Sequence, residues 1–237
     1  MYVDFHSHIL PGIDDGAENS ERSLKMLGLE KKSGVTRIAA TPHFYMSNQS
    51  LEDFLEKRNA AFESIRQSVE DMGIEIICGA EVYYTPSLAD IDLTKLSIAD
   101  TDYVMIELPY QNLSRSFIRS FKSFIGSISS DVTPILAHAE RYLSFTSEES
   151  LYEILDSDML VQLNCGSFKT FSKSLKFMLT LIRHGSAHLL GTDCHNITTR
   201  PPNMDMARKA IDKKLSADYF DRLMDNAHKV FEGERPE

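Results

Sequence analysis

The sequence predicts an α/β protein built on parallel strands, most simply a distorted seven-stranded (β/α)7 barrel. Three observations predict it. Short apolar runs alternate with amphipathic helical stretches along the 237-residue chain. Strands that alternate with helices pair in parallel. Histidines and carboxylates recur just after the apolar runs, the place where such a barrel carries its chemistry.

The elements follow in order. Residues 2–5 read as the first strand, ending in DFHSH. Ser20 to Ser33 reads as a helix with Leu24, Leu27 and Leu29 among its apolar positions and Gly34 as its stop signal. A strand at 35–40 leads to a long amphipathic helix at 51–72, ended by Gly73. Strands at 74–80 and 103–108 come next. The helix at 116–128 places Phe117, Phe121, Phe124, Ile125 and Ile128 on one side. Strands at 134–137, 159–163 and 187–190 are separated by helices around 148–156 and 172–184. Helices around 203–214 and 216–231 finish the chain. One domain spanning 1–237 is the expectation, because α/β barrels of this length form single units.

Composition narrows the function. Hydrophobic residues make up 42 % of the chain, ample for a core, and the formal charge is −10. So acidic a surface argues against nucleic-acid binding, which needs a basic face. The three cysteines, Cys78, Cys165 and Cys194, form no CxxC pair and fit a reduced, cytoplasmic chain. MYVDFHSH lacks a basic leader, and no apolar run reaches the roughly 18 residues of a membrane helix, so no direct membrane insertion is expected.

His6 and His8 lie two residues apart on a strand and so share a face. The other candidates follow later strands: His43 in TPH, Glu81 in GAE, Glu107 in MIEL, His138 in AHAER, and Asp193 and His195 in TDCH. A lone histidine is more often a surface or capping residue than a ligand. Five of the eight histidines at strand ends, with carboxylates beside them, are hard to reach by chance. His184, His188 and His228 fall in or near helices and keep the ordinary structural reading. Glu140 is either a hydrogen-bond partner to a ligand or a surface acid.

Mixed imidazole and carboxylate donors suit manganese, iron or zinc, with oxygen-rich sites leaning to manganese. Neighbouring divalent ions make water a nucleophile near neutral pH and clamp the oxygens of a phosphoryl group. Three such ions outweigh the carboxylates of Asp15, Glu81, Glu107 and Asp193, leaving a positive site in an acidic protein. Arg141 and Arg200 follow two of the motifs, and the guanidinium fork matches phosphate oxygens. The alternative for each arginine is a surface salt bridge. Cys194 to Arg200, CHNITTR, also matches the C-x5-R pattern of cysteine-dependent phosphatases. Those enzymes wrap phosphate in backbone N–H groups. Here the intervening residues contain no glycine, and Ile197, Thr198 and Thr199 are β-branched, so a thiol mechanism is disfavoured.

DFHSHILPGIDDG, TPH, GAEVYY, HAERY, VQLNCGSF and TDCHN with RPP occur in one order over nearly the whole chain. In these motifs the sequence resembles the polymerase-and-histidinol-phosphatase (PHP) family of metal-dependent phosphoesterases. It is most similar to the branch of manganese-dependent protein tyrosine phosphatases from bacterial capsule and exopolysaccharide operons. The resemblance implies the PHP fold and a three-metal site. His6, His8, Glu81 and Asp193 would hold one ion. Glu81, as a bridge, would hold a second with Glu107 and His138. Asp15, His43 and His195 would hold the third. The match favours Asp15 over Asp14. Arg141 and Arg200 would bind the phosphate. Two positions depart from the pattern: Thr199 stands where a glycine often precedes RPP, and Ala227 where a proline often follows Asn226.

The expected function is a metal-dependent phosphotyrosine-protein phosphatase, with the tyrosine-phosphorylated tail of a bacterial tyrosine kinase as the substrate the resemblance implies. Rim aromatics support an aryl substrate: Phe44, Tyr45, Tyr83, Tyr84 and Tyr110 follow His43, Glu81 and Glu107, and Tyr45 and Tyr84 are expected to touch it. The runner-up is a small-molecule phosphatase such as a histidinol phosphatase. Amidohydrolases also carry HxH after the first strand, but with a bridging lysine where this chain has Glu107. A metal-binding regulatory module without turnover would not need both arginines.

Overall fold

The computed structural model describes residues 1–169 and 173–236. It contains the strands β1 (Tyr2–Ser7), β2 (Val35–Ala40), β3 (His43–Phe44), β4 (Glu75–Cys78), β5 (Glu81–Tyr83), β6 (Tyr103–Glu107), β7 (Thr133–Leu136), β8 (Leu160–Asn164) and β9 (Leu189–Gly191). Its α-helices are α1 (Ser20–Lys32), α2 (Leu51–Glu63), α3 (Arg66–Asp71), α4 (Arg115–Ile128), α5 (Glu148–Leu155), α6 (Lys173–His184), α7 (Met204–Lys214) and α8 (Ala217–Phe231). The helix expected from 172 starts at Lys173, since residue 172 lies outside the described residues.

All the strands pair in parallel. One sheet runs β1-β2-β4, the other β3-β5-β6-β7-β8-β9. Together they make a curled parallel α/β fold. The free side of β1 meets the segment after β9: Asp193 N donates to His6 O at 2.7 Å, and His8 N to Cys194 O at 3.0 Å. Two expected strands are each followed by a short extra segment. The strand expected at 35–40 forms as β2, with β3 after Thr41 and Pro42; the run expected at 74–80 forms β4 over Glu75–Cys78, with β5 after Gly79 and Ala80. Gly79 N reaches Ala40 O at 2.9 Å and Glu81 N reaches Pro42 O at 3.0 Å, so hydrogen bonding between these neighbours runs across both breaks. The breaks shift His43 and Glu81 into paired register.

Helix starts follow their caps. Asn19, Ser50, Ser114 and Ser147 each accept a main-chain N–H from the first turn of α1, α2, α4 and α5. The helix expected over 51–72 is two helices, parted at Ser64 and Ile65. Ser64 Oγ donates to Ala61 O at 2.7 Å, the kind of local side-chain bond that competes with helix continuation. The core lies between strands and helices. Ile118, Phe121, Phe124 and Ile125 of α4 are buried against it at the period the sequence predicts.

Candidate metal centre

The strands deliver the candidate ligands to one face. His6 sits within β1 and His8 one residue past it; Glu81 opens β5, His43 opens β3, and Glu107 closes β6. His138 follows β7, and Asp193 and His195 follow β9. Close backbone approach is built in at two glycines. A Cβ on Gly191 would lie 2.4 Å from His6 Cβ, and one on Gly16 would lie 2.2 Å from His8 O. His138 and Asp193 take the left-handed conformation, with φ of 32° and 50°. That conformation is uncommon outside glycine and concentrates at functional sites.

Glu81 is the hub. Its Oε2 lies 3.3 Å from the Nε2 atoms of both His6 and His8 and 3.0 Å from His43 Nδ1, and its Oε1 lies 2.7 Å from His138 Nε2. Asp193 Oδ1 lies 3.3 Å from His8 Nε2 and 3.5 Å from His195 Nδ1. Asp15 Oδ1 is 3.5 Å from His43 Nε2 and 3.3 Å from His195 Nε2. Glu107 stands 3.5 Å from His138 and 3.9 Å from His43. Donor atoms fall into four overlapping groups within 4.8 Å: His8, Asp15, His43 and His195; His6, His8 and Asp193; His6, Glu81 and His138; and His43, Glu81 and Glu107. Every ligand candidate read from the sequence belongs to one of them.

The donors suit a cation. Gln162 Oε1 lies 3.1 Å from His6 Nδ1 and accepts from His138 N at 2.7 Å, while its Nε2 donates to Leu163 O at 2.7 Å. These main-chain partners fix the amide, so its oxygen faces His6 and Nδ1 of His6 carries the proton. Asp14 Oδ2 does the same for His8 Nδ1 at 2.8 Å. The two Nε2 lone pairs are then left 3.1 Å apart, a repulsive arrangement that a cation or proton relieves. Glu81 Oε2, His43 Nδ1 and His195 Nε2 are buried, and although charged or polar atoms lie close by, none of the three is aligned for a hydrogen bond among the described residues.

Asp14 and Asp15 have distinct places. Asp14 accepts from His8, from Gly16 N at 2.9 Å and from His43 N at 3.0 Å, so it orients two candidate ligand residues from behind. Asp15 alone of the pair joins a donor group. Glu140 is buried: Ser167 Oγ donates to it at 2.6 Å and Asn164 N at 3.2 Å, while Asn164 Nδ2 donates to Asp193 at 2.9 Å. It is therefore not a surface acid, and it reaches the candidate ligand Asp193 only through Asn164. Gln162 and Asn164 lie in the VQLNCGSF motif, but the motif alone assigns neither a role at the site.

Electrostatics follow from this crowding. Burial alone would raise the carboxyls of Glu81 and Asp193, but the surrounding imidazoles, and Arg141 for Asp193, hold both well below the usual range. Glu107 has weaker cationic company, and burial beside Glu81 pushes it up to about 7. Burial brings His138 down to about 4 against the pull of Glu81. A further buried trio, Asp4, Glu30 and Cys194, lies behind the site. Thr192 knits it together, donating its N–H to Asp4 at 2.8 Å and lying 3.1 Å from Glu30.

Arg141 and Arg200 both pair with Asp193, Arg200 at 2.7 Å. They line one open cavity of about 670 Å³ with Asp15, His43, Tyr45, Glu81, Glu107, Tyr110 and Phe145. Tyr84 is a correction. It is 3 % exposed and packs its ring 5.0 to 5.6 Å from Phe117, Phe121 and Phe124 of α4, away from the cavity. Successive strand residues point to opposite faces, so the outward Tyr83 sends Tyr84 into the core. Tyr45 stays half-buried at the mouth, 5.2 Å from Tyr83. Of the histidines left aside, His188 accepts Val161 N and His228 contacts Arg37, both outside the donor groups.

A parallel α/β fold with clustered histidines and carboxylates beneath two arginines defines a class: an anion-handling protein with a metal-ligand face. The chain belongs to the CpsB/CapC family of capsular polysaccharide synthesis, whose family model matches residues 2–232. It is 30 % identical over 236 residues to tyrosine-protein phosphatase YwqE of Bacillus subtilis (strain 168), covering 95 % of this chain and 89 % of that one. It is 28 % identical over 241 residues to tyrosine-protein phosphatase CpsB of Streptococcus pneumoniae, covering 96 % and 97 %. A chain from the crystal structures of YwqE and CpsB, described there as unique metal-dependent tyrosine phosphatases, superposes with a TM-score of 0.84 at 26 % identity, covering 99 % of this chain and 96 % of that one. No helix of the described residues is long and apolar enough to cross a membrane.

Proposed function

We propose that this chain is a metal-dependent phosphotyrosine-protein phosphatase acting in the cytoplasm on the tyrosine-phosphorylated tail of a bacterial tyrosine kinase that regulates capsule or exopolysaccharide synthesis. The observation that carries this reading is the pairing of Arg141 and Arg200 over the same carboxylate, Asp193, that joins the histidine cluster. A phosphate gripped by those arginines lies against the metal-ligand face.

Three divalent ions, manganese by the donor chemistry, with iron or zinc as the other candidates, are assigned as the family resemblance implies. His6, His8, Glu81 and Asp193 would hold the first. Glu81, Glu107 and His138 would hold the second. Asp15, His43 and His195 would hold the third. Ions held there would lower the pKa of water and offset the charge of the phosphoryl oxygens. Gln162 and Asp14 hold His6 and His8 in the tautomers that present Nε2. Arg141 and Arg200 orient the phosphate through charge-assisted hydrogen bonds, and Tyr45 lies beside it in the cavity. We also read β2 with β3, and β4 with β5, as single bent strands, which makes one distorted seven-stranded barrel of PHP type and one domain over 1–237.

The test compares hydrolysis of a phosphotyrosine peptide and of histidinol phosphate, each after chelation and after manganese is restored. Manganese-dependent preference for the peptide is expected. Full activity in the metal-free protein would sink the mechanism, and faster turnover of histidinol phosphate would move the assignment to a small-molecule phosphatase.

A further inference from the structure

Phe145 and Tyr110 are among the most exposed large apolar side chains of the described residues, at 39 % and 41 %. They touch each other, with ring centroids 5.4 Å apart at 44°. They come from different strand ends, Tyr110 from the loop after β6 and Phe145 from the turn after β7. Both open onto the cavity that holds Arg141 and Arg200. Large apolar groups left in water at such a place mark a binding surface.

The pair is built rather than incidental. Tyr142 is buried behind Tyr110, with ring centroids 5.9 Å apart and planes 27° from parallel, and its hydroxyl accepts Leu108 N at 2.8 Å. That bond ties down the loop that carries Tyr110. Arg141 Nη1 donates to the Tyr110 hydroxyl at 3.3 Å, so the aromatic face begins where the guanidinium ends.

We propose that Tyr110 and Phe145 form the aromatic wall that selects aryl over alkyl phosphate esters. This rests on the phosphatase reading above and names the residues that give it substrate preference. In an aryl ester the ring is bonded directly to the ester oxygen. A phosphate held by Arg141 therefore lays that ring along the wall, where edge-to-face or offset contact with Phe145 is favourable. The ester of serine presents one methylene there and covers little of the wall.

Phe145 is the clean probe, because Tyr110 also contacts Arg141. The experiment measures kcat/KM of the manganese-loaded protein and of Phe145→Ala and Phe145→Leu on phenyl phosphate and on ethyl phosphate, with inhibition by inorganic phosphate alongside. Phe145→Ala is expected to lose about tenfold on phenyl phosphate, the size of one lost aromatic contact. Ethyl phosphate turnover and phosphate inhibition are expected to hold, and Phe145→Leu to fall between. Equal losses on both esters, or none on either, overturn the wall. A wild-type protein that turns over neither ester defeats the phosphatase reading alone. The wall is then tested by binding of phenylphosphonate against methylphosphonate: a phenyl preference that Phe145→Ala removes supports it, and one that the variant keeps overturns it.

Discussion

Gln162 and His6, 156 residues apart in sequence, meet through an amide oxygen and a ring nitrogen 3.1 Å apart. The same oxygen accepts the main-chain N–H of His138. One side chain of β8 thereby orients a candidate ligand residue of β1 and secures the left-handed residue that follows β7. Gln162→Leu should leave two buried donors unanswered and cost about 1–3 kcal/mol for each. Urea unfolding measures the stability, and titration with manganese measures the accompanying loss of affinity. An unchanged midpoint with full metal binding would show that Gln162 is only filler.

Asp14 and Asp15 should behave as opposites despite being neighbours. Asp14→Ala removes the acceptor of Gly16 N, His43 N and His8, and should destabilise the protein by about 1–3 kcal/mol. The Asp15 side chain is 67 % exposed, so Asp15→Ala should stay within about 0.5 kcal/mol of the parent while weakening manganese binding. Thermal melts of the chelated proteins separate the two. Equal destabilisation by both would contradict the assignment.

The ligand candidates were legible because they follow apolar runs, and a parallel strand must deliver its last residues to one rim. The supports were not. Gln162 falls within VQLNCGSF, but the motif does not reveal that its amide meets His6 and His138, far away in sequence. Glu30 sits in the last turn of α1 with no outward sign that it is buried against Asp4 and Thr192. Tyr84 follows Glu81 in sequence like a rim residue, but the alternation of β5 continues one residue past Tyr83 and turns it into the core. Phe145 lies in a turn after His138 that holds no apolar periodicity.

Cys194 should be dispensable and Arg200 should not. Burial pushes the Cys194 thiol well above its ordinary range, with Glu30 and Asp4 adding to the effect, and its sulfur lies 3.6 Å from Glu30 behind the site. Cys194→Ser should keep most of its rate on an aryl phosphate. Arg200→Ala should lose on the order of a hundredfold, as when a donor to a developing oxyanion is removed. Steady-state kinetics decide, and an inactive Cys194→Ser enzyme with full metal content would reverse the reading.

The metal-free protein should carry a pH signature from Glu107. Its folded carboxyl titrates at about 7 against an ordinary value of 4.5, because of burial and Glu81. A raised carboxyl binds more protons in the folded state, so it lowers stability as pH rises through that window. Glu107→Gln should therefore gain stability relative to the parent between pH 4.5 and about 7, and the gain should level off above. Chemical denaturation of both chelated proteins across this range measures the difference. A difference independent of pH would remove Glu107 as the cause.

The donors gathered at this site span the chain from His6 to His195. A ribosome therefore supplies the first of them long before the last. At about 5–20 residues per second, roughly 10–40 seconds separate the two. Until β9 and its following turn emerge, Asp193 and His195 are missing, and β1 lacks the neighbour that carries them. Assembly of the complete donor set is thus an event of the finished chain rather than of the nascent one.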